Sequence, residues 1–412
     1  MKNSISNKNE NVPKSDKKDE KEIKKESKKD KMEKEFKESF DIKILNKKTN
    51  RSKDEIKLEN NEKLNIKNKN DNNELDIYFF MDIINDSYSN DTAVDNMFIV
   101  FKAINDILYI IYAKDNPSII ISNLIDNKKI NEIKNAHSFY INNFKHYLDK
   151  INKRDLVLSI SSFDNNIKLW NINTIDCLLN IKNAYNKGEM YSACFLFTNK
   201  QLYIVSCNDY YPNKPGPIKI FNLEGKKTKE INNSKERTFF IDIYYDNKFD
   251  NIYILVGNKN YVKSYDYLNN KLYQKYCDES FSFHNCIIVY KGDDDKIIKL
   301  IESSNDGNIR IWNFRSGELL KKYEIFSNRE FCLYGMCLLR NEYLFVGCND
   351  KTVKLLEINN GKITKTLHGH YDIPSTVKII NHPYYGESLI TKGGEYDMIK
   401  LWIIKNKIKN KE

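Results

Sequence analysis

From about residue 75 onward, apolar residues come in short runs of four to seven, rich in Ile, Leu, Tyr and Phe and separated by Asn, Asp, Gly and Pro. Runs of that length between turn formers predict β-strands, and no segment sustains an apolar stripe at helical spacing. Many short strands in series point to an internal repeat. The three Trp of the chain reveal it. They end the segments Ile167-Lys-Leu-Trp170, Ile309-Arg-Ile-Trp312 and Ile399-Lys-Leu-Trp402. Four more segments fit the same frame: Ile119-Ile-Ile-Ser122, Ile218-Lys-Ile-Phe221, Val262-Lys-Ser-Tyr265 and Val353-Lys-Leu-Leu356. Six of the seven carry Lys or Arg two residues before the frame position, and intervals between frame positions run from 44 to 51 residues. Each unit divides into four strand-like runs. In the fifth these are Cys286 to Tyr290, Ile297 to Ile301, Asn308 to Trp312 and Glu318 to Tyr323. Chance alternation does not hold phase across about 280 residues.

This repeat resembles the WD40 family, whose units form the blades of a β-propeller. The resemblance covers roughly residues 75–405, is strongest in units 2, 5 and 6, fair in unit 7, and degenerate in units 1, 3 and 4. In the family the Trp is commonly followed by Asp. Here Asn or another residue stands there, and the family's Gly-His pair survives intact only as Gly369-His370. The resemblance implies an all-β, seven-bladed propeller over residues 75–412 and a structural network inside the blades. Asp164, Asp306 and Asp350 each precede their frame position by six residues, and Asp397 precedes Trp402 by five. The family's Asp accepts hydrogen bonds from turn amides and from a His that is tied to the Trp through a hydroxyl. His137, Asp164 and Trp170 match that layout, with Ser161 or Ser162 as the hydroxyl, and His370, Asp397 and Trp402 match it more loosely. Trp312 is the corresponding ring of unit 5. Such bonds contribute about 0.5–1.5 kcal/mol each.

Ring closure makes a further demand. After Trp402 only a short basic stub follows, so the outer strand of the last blade is expected from Leu75 to Ile84, the one long apolar run ahead of unit 1. Pairing first and last segments removes an exposed edge.

Charge separates a second region. Residues 1–74 carry 22 Lys/Arg and 17 Asp/Glu, half of the net charge of +10, with Phe36 and Phe40 their only aromatics. Such a segment buries too little apolar surface to offset its ordering, and it reads as a disordered tail. Within it, residues 20–40 alternate acid and base at spacings that allow a solvated helix. Acids interleaved with the lysines cancel most of the field a nucleic acid would need. The eight Cys form no CxxC pair and sit in or beside apolar runs, which suits reduced thiols and a cytoplasmic or nuclear setting. No apolar run is long enough to span a membrane, and the N-terminus lacks a secretory core.

Chemistry is sparse. Neither a G-x-S-x-G elbow nor a phosphate loop occurs, and Asp293-Asp-Asp295 reads as a solvated turn. His368-Gly-His370 lacks a third metal ligand placed by the pattern, so no metal and no cofactor is expected. The expected function is a non-catalytic scaffold for protein–protein contact, with other proteins as partners. Phe314-Arg-Ser-Gly317 lacks the second Arg of the phosphoinositide-binding propeller motif, which disfavours a lipid ligand. Residues 300–315, LIESSNDGNIRIWNFR, resemble the box by which some WD40 proteins dock onto the adaptor of cullin-4 ubiquitin ligases, through Ser303, Ser304, Asp306, Ile309, Ile311, Trp312 and Arg315. Most of those positions are also what any blade requires; Arg315 is the addition, and Asn313 replaces the family's acid. A substrate receptor on that adaptor is therefore the alternative function. The longest interval, in unit 3, holds Asp209 to Pro217, where three prolines stiffen a loop and Tyr210 and Tyr211 offer amphipathic surface for a partner.

Overall fold

The structure is a computed structural model. It describes residues 75–84, 98–114, 117–185, 188–209, 216–232, 237–278, 283–291, 297–326, 332–394 and 397–406. The charged segment 1–74, with its expected disorder and helix, lies outside the described residues.

All described secondary structure is β, in seven four-stranded antiparallel sheets. The first strand, β1 (Leu75–Ile84), stands apart from its successors. Blade 1 follows with β2 (Phe98–Lys102), β3 (Leu108–Lys114), β4 (Ser118–Asn123) and β5 (Lys128–Ile133). Blade 2 has β6 (Ile141–Asp149), β7 (Arg154–Ser161), β8 (Ile167–Asn171) and β9 (Asp176–Ile181). Blade 3 has β10 (Glu189–Thr198), β11 (Gln201–Asp209), β12 (Ile218–Asn222) and β13 (Lys227–Ile231). Blade 4 has β14 (Thr238–Asp246), β15 (Asn251–Asn258), β16 (Val262–Asp266) and β17 (Lys271–Tyr276). Blade 5 has β18 (His284–Lys291), β19 (Ile298–Ser304), β20 (Asn308–Asn313) and β21 (Leu319–Glu324). Blade 6 has β22 (Leu333–Leu339), β23 (Tyr343–Cys348), β24 (Val353–Glu357) and β25 (Ile363–Leu367). Blade 7 has β26 (Thr376–His382), β27 (Gly386–Lys392) and β28 (Ile399–Asn406). Its fourth strand is β1, antiparallel to β28 with Leu75 opposite Asn406 and Phe79 opposite Trp402.

The seven first strands touch one another in a closed cycle, β2 to β6, β10, β14, β18, β22, β26 and back to β2. That cycle is a propeller ring around a channel. The sequence grades each blade from centre to rim. Second strands such as β7 and β15 are buried almost throughout, whereas the outer strands β5, β9 and β13 are mostly exposed and carry Lys, Glu and Asp. Charged outer edges discourage pairing with other chains. A hydrophobic cluster fills every junction between neighbouring sheets, including the 7-to-1 junction, where Ile83 and Ile390 meet Phe98 and Ile110. The frame residue packs towards the preceding blade each time: Trp170 into the blade 1 side, Phe221 into blade 2, Tyr265 into blade 3, Trp312 into blade 4 and Trp402 into blade 6. One close approach demands glycine. A Cβ on Gly335 would lie 2.2 Å from the Ser375 carbonyl oxygen, which accepts a hydrogen bond from the Gly335 amide.

Antiparallel alternation sorts the connections onto two ends. One end, the Asp-turn face, carries the turns between second and third strands and the links into each next first strand. The other, the hairpin face, carries the remaining turns.

Candidate functional site

Inside blade 2 the side chains form a relay. The Trp170 indole N–H donates to Ser159 Oγ (2.8 Å), and Ser159 Oγ lies 2.8 Å from His137 Nε2. His137 Nδ1–H donates to Asp164 Oδ2 (3.0 Å), which also accepts the Ser138 amide, while Oδ1 accepts the amide of Asn166. Blade 7 repeats it. Trp402 donates to Thr391 Oγ1 (2.8 Å), Thr391 meets His370 Nε2 (2.7 Å), and His370 Nδ1 meets Asp397 Oδ2 (2.6 Å). The hydroxyl in blade 2 is Ser159, not Ser161 or Ser162. Ser159 pairs with Lys168 across the strands, and Thr391 pairs with Lys400 in the same way. Ser162 is occupied by Asn142 and the Met190 carbonyl, and Ser161 Oγ has no partner. Burial opposes ionisation of Asp164, but the hydrogen bond and charge of His137 and two backbone amides outweigh it and hold its carboxyl below the usual range. For His137 burial wins over the Asp164 bond and lowers the imidazole. The pair is buried and ties the loop before β6 to the turn after β7.

The other units solve the same position differently. In blade 5 Glu302 stands opposite Arg310, where blades 2 and 7 have hydroxyl and Lys. Arg310 is fully buried. It bonds Asp278 (2.7 Å), Ser304 (2.7 Å) and Asp306, and lies 3.5 Å from Glu302. Glu302 also holds His284 Nδ1. Burial resists ionisation of Asp306, yet the bonds from Arg310 and Ser304 prevail and bring it to about 2. The Trp312 indole nitrogen and His284 Nε2 are left without partners. Asp306 and Asp350 therefore accept turn amides, from Asn308 and Thr352, but take a cation in place of a His: Arg310 in blade 5, Lys354 (2.7 Å) in blade 6. In blade 3 Tyr185 fills the His place, bonding the Ser206 and Pro217 carbonyls. The recurrent Lys before the frame position also gains a role. Lys168 caps the Ala136 carbonyl and Lys219 the Ala184 carbonyl (2.8 Å), the residues just before His137 and Tyr185.

With those groups turned inward, the exposed aromatic side chains lie elsewhere. On the Asp-turn face Phe139, Tyr140 and Phe163 are exposed in blade 2, with the Phe139 and Phe163 rings 6.0 Å apart, and Tyr371 stands 73% exposed beside blade 7. Nearer the channel a half-buried row runs from Tyr191 to Phe239 (5.5 Å) to Phe283 (4.8 Å), with Arg237 and Lys259 against the last two rings. No periodic cue in the sequence marks these loop aromatics. Tyr210 and Tyr211 lie outside the described residues, between β11 and β12.

On the hairpin face Arg315 sits in the turn between β20 and β21. It donates to the buried Asp246 Oδ2 (2.6 Å), and its guanidinium lies 4.1 Å from the Phe249 ring, tying blade 5 to blade 4. His368 and His370 do not converge on a metal, since His370 is spent in its relay, and no group of three metal-ligating side chains occurs among the described residues. Neither a protein-family model nor a curated protein matches the chain.

Proposed function

We propose that this propeller is a WD40-type, non-catalytic scaffold that docks other proteins on its Asp-turn face. The observation that carries the reading is the exposure of Phe139, Tyr140 and Phe163 at blade 2 and of Tyr371 beside blade 7, all on one face and held on loops of a closed ring. Large rings with few rotatable bonds are the residues that dominate interface energetics, and rigid presentation limits the ordering cost of binding. The buried thiols of Cys194, Cys207 and Cys348 are consistent with a reducing compartment, the cytoplasm or the nucleus. The 300–315 segment lends less support to docking on a cullin-4 adaptor, because Arg315 already holds Asp246 and Phe249.

The test is affinity capture from the native cell with mass spectrometry. Wild type is compared with Phe139→Ser/Phe163→Ser/Tyr371→Ser, with Tyr210→Ala/Tyr211→Ala, and with Arg315→Ala, each checked by circular dichroism. The reading expects the triple variant to lose specific partners at unchanged fold. Retention of every partner by that variant would move the contact surface elsewhere, and loss of a ligase adaptor from Arg315→Ala alone would establish the alternative.

A further inference from the structure

The hairpin-face mouth of the channel holds a cavity of about 400 Å³, lined by Lys145 and Tyr147 of β6, Cys194, Phe195 and Phe197 of β10, and Asp242 and Tyr245 of β14. That volume lies within the usual range for small-ligand sites, roughly 300–1,000 Å³. Its walls are aromatic. Tyr147 packs on Phe195 (5.7 Å) and Phe197 (6.2 Å), and Tyr245 Oη accepts the Phe197 amide (2.8 Å), which fixes the opposite wall. Phe197 and Tyr245 remain about two-fifths exposed at the rim (39% and 41%).

Its floor is polar, and the polarity is unbalanced. Lys145 Nζ lies 3.2 Å from Asp242 Oδ2, an ion pair that reaches from blade 2 to blade 4 past blade 3. Each Asp242 oxygen already holds one donor, Oδ1 accepting the Ile243 amide (3.0 Å) and Oδ2 facing Lys145. The Lys145 ammonium has three donors, and among the described residues only one of them is used. Beyond the pair a second space of about 110 Å³ continues along the channel and is lined by Lys378 of β26, which pairs with no carboxylate among the described residues. Among the described residues lining these two spaces, Lys145 and Lys378 outnumber the one carboxylate, Asp242, so the surplus charge is positive.

We propose that this well binds a carboxylate carried on an aromatic or apolar group, with Lys145 receiving the carboxylate and Tyr147, Phe197 and Tyr245 enclosing the apolar part. The site is on the face opposite the exposed aromatics and stands independently of the scaffold reading. The carboxylate comes either from a free small acid or from an acidic side chain of an extended segment.

Saturation-transfer NMR on the full chain separates these, using phenylacetate, phenylacetamide and the peptide acetyl-Gly-Phe-Glu-Phe-Gly-amide as probes. Phenylacetate should bind at least about tenfold more tightly than phenylacetamide, since only the acid makes a charge-assisted bond. Lys145→Gln should erase that preference, and Phe197→Ser should weaken the acid at unchanged fold. Asp242→Asn, which frees the ammonium, should tighten the acid severalfold, and Tyr371→Ala on the other face should change nothing. A peptide bound more tightly than phenylacetate assigns the site to an acidic segment; a peptide bound no more tightly assigns it to a small acid. Equal binding of acid and amide, no phenylacetate signal at about 10 mM, or a preference that survives Lys145→Gln or is lost in Asp242→Asn would overturn the proposal.

Discussion

Blades 2 and 5 occupy equivalent places in the ring, present a Trp at the same frame position, and stabilise it by opposite means. In blade 2 a hydroxyl links Trp170 to His137 and every member of the chain has a partner. In blade 5 the hydroxyl has become Glu302 and the facing Lys has become Arg310, and the pair anchors a buried ionic cluster while the Trp312 indole nitrogen goes unpartnered. Hydroxyl goes with Lys in blades 2 and 7, and carboxylate with Arg in blade 5. The cross-strand pair, more than any single residue, is the unit that changes. Blade 7 adds a contrast of its own. It keeps the blade 2 relay, but its Lys400 reaches Asp82 on β1 (2.9 Å) instead of a loop carbonyl.

The largest effect should come from that borrowed strand. Removing residues 1–84 strips Leu75, Ile77 and Ile83 from the core and leaves β28 as an edge, so the melting midpoint should fall by more than about 10 °C. Removing only 1–70 should leave it unchanged. Equal midpoints for the two truncations would show that blade 7 does not depend on β1.

Blade 5 should be the next most sensitive. Arg310→Ala leaves Glu302 buried without its cation and should cost about 3–5 kcal/mol in denaturant unfolding. Trp312→Ala should cost about as much, 3–5 kcal/mol, through the cavity it leaves between blades. A harmless Trp312→Ala would mean that the ring is not packed as the junction requires.

Smaller differences separate the relay from the cluster. Trp170→Phe removes a satisfied indole donor and leaves Ser159 with its His137 bond alone, whereas Trp312→Phe removes a donor that has no partner. The first should cost about 1 kcal/mol more than the second. Matching losses would remove the distinction between the two blades.

Acid should also distinguish them. Burial lowers His137 and His146 despite their bonds to Asp164 and Asp155, and lowers His382 to about 4. In the unfolded chain these groups take up protons as pH falls below 6.5, and in the folded chain they resist, so stability is complete above 6.5 and declines as pH falls from there, for His382 down to about 4. Asp306 has its carboxyl held down to about 2, so its contribution is present above 3.8 and is lost only as pH falls from there. Urea midpoints should therefore drop between about pH 7 and pH 5, and His382→Asn should flatten part of the drop. A midpoint constant over that span would contradict the buried neutral imidazoles.

Much of this was legible in the sequence because it is periodic. The frame positions, the Asp before each strong Trp and the spacing of His137 and His370 follow from a repeat whose units share one geometry. What escaped depended on strand register. Ser159 and not Ser161 bridges Trp170, because only a residue opposite Lys168 meets both the indole and the imidazole. Glu302 lies ten residues before its Trp where Ser159 and Thr391 lie eleven before theirs, so the shorter turn hid the equivalence. Tyr185 had a cue in retrospect, the Asn-Ala pair that precedes both it and His137. The channel well had none, since it gathers residues from three blades about fifty positions apart.

The central claim is that Glu302 with Arg310 replaces hydroxyl with Lys as a unit, and a double-mutant cycle on those two positions tests it most directly. Glu302→Ser and Arg310→Lys should each destabilise blade 5. Together they should restore most of the loss, with a coupling of at least about 1.5 kcal/mol and a Trp312 indole proton newly protected from exchange. Losses that simply add, with the indole proton unchanged, would contradict it.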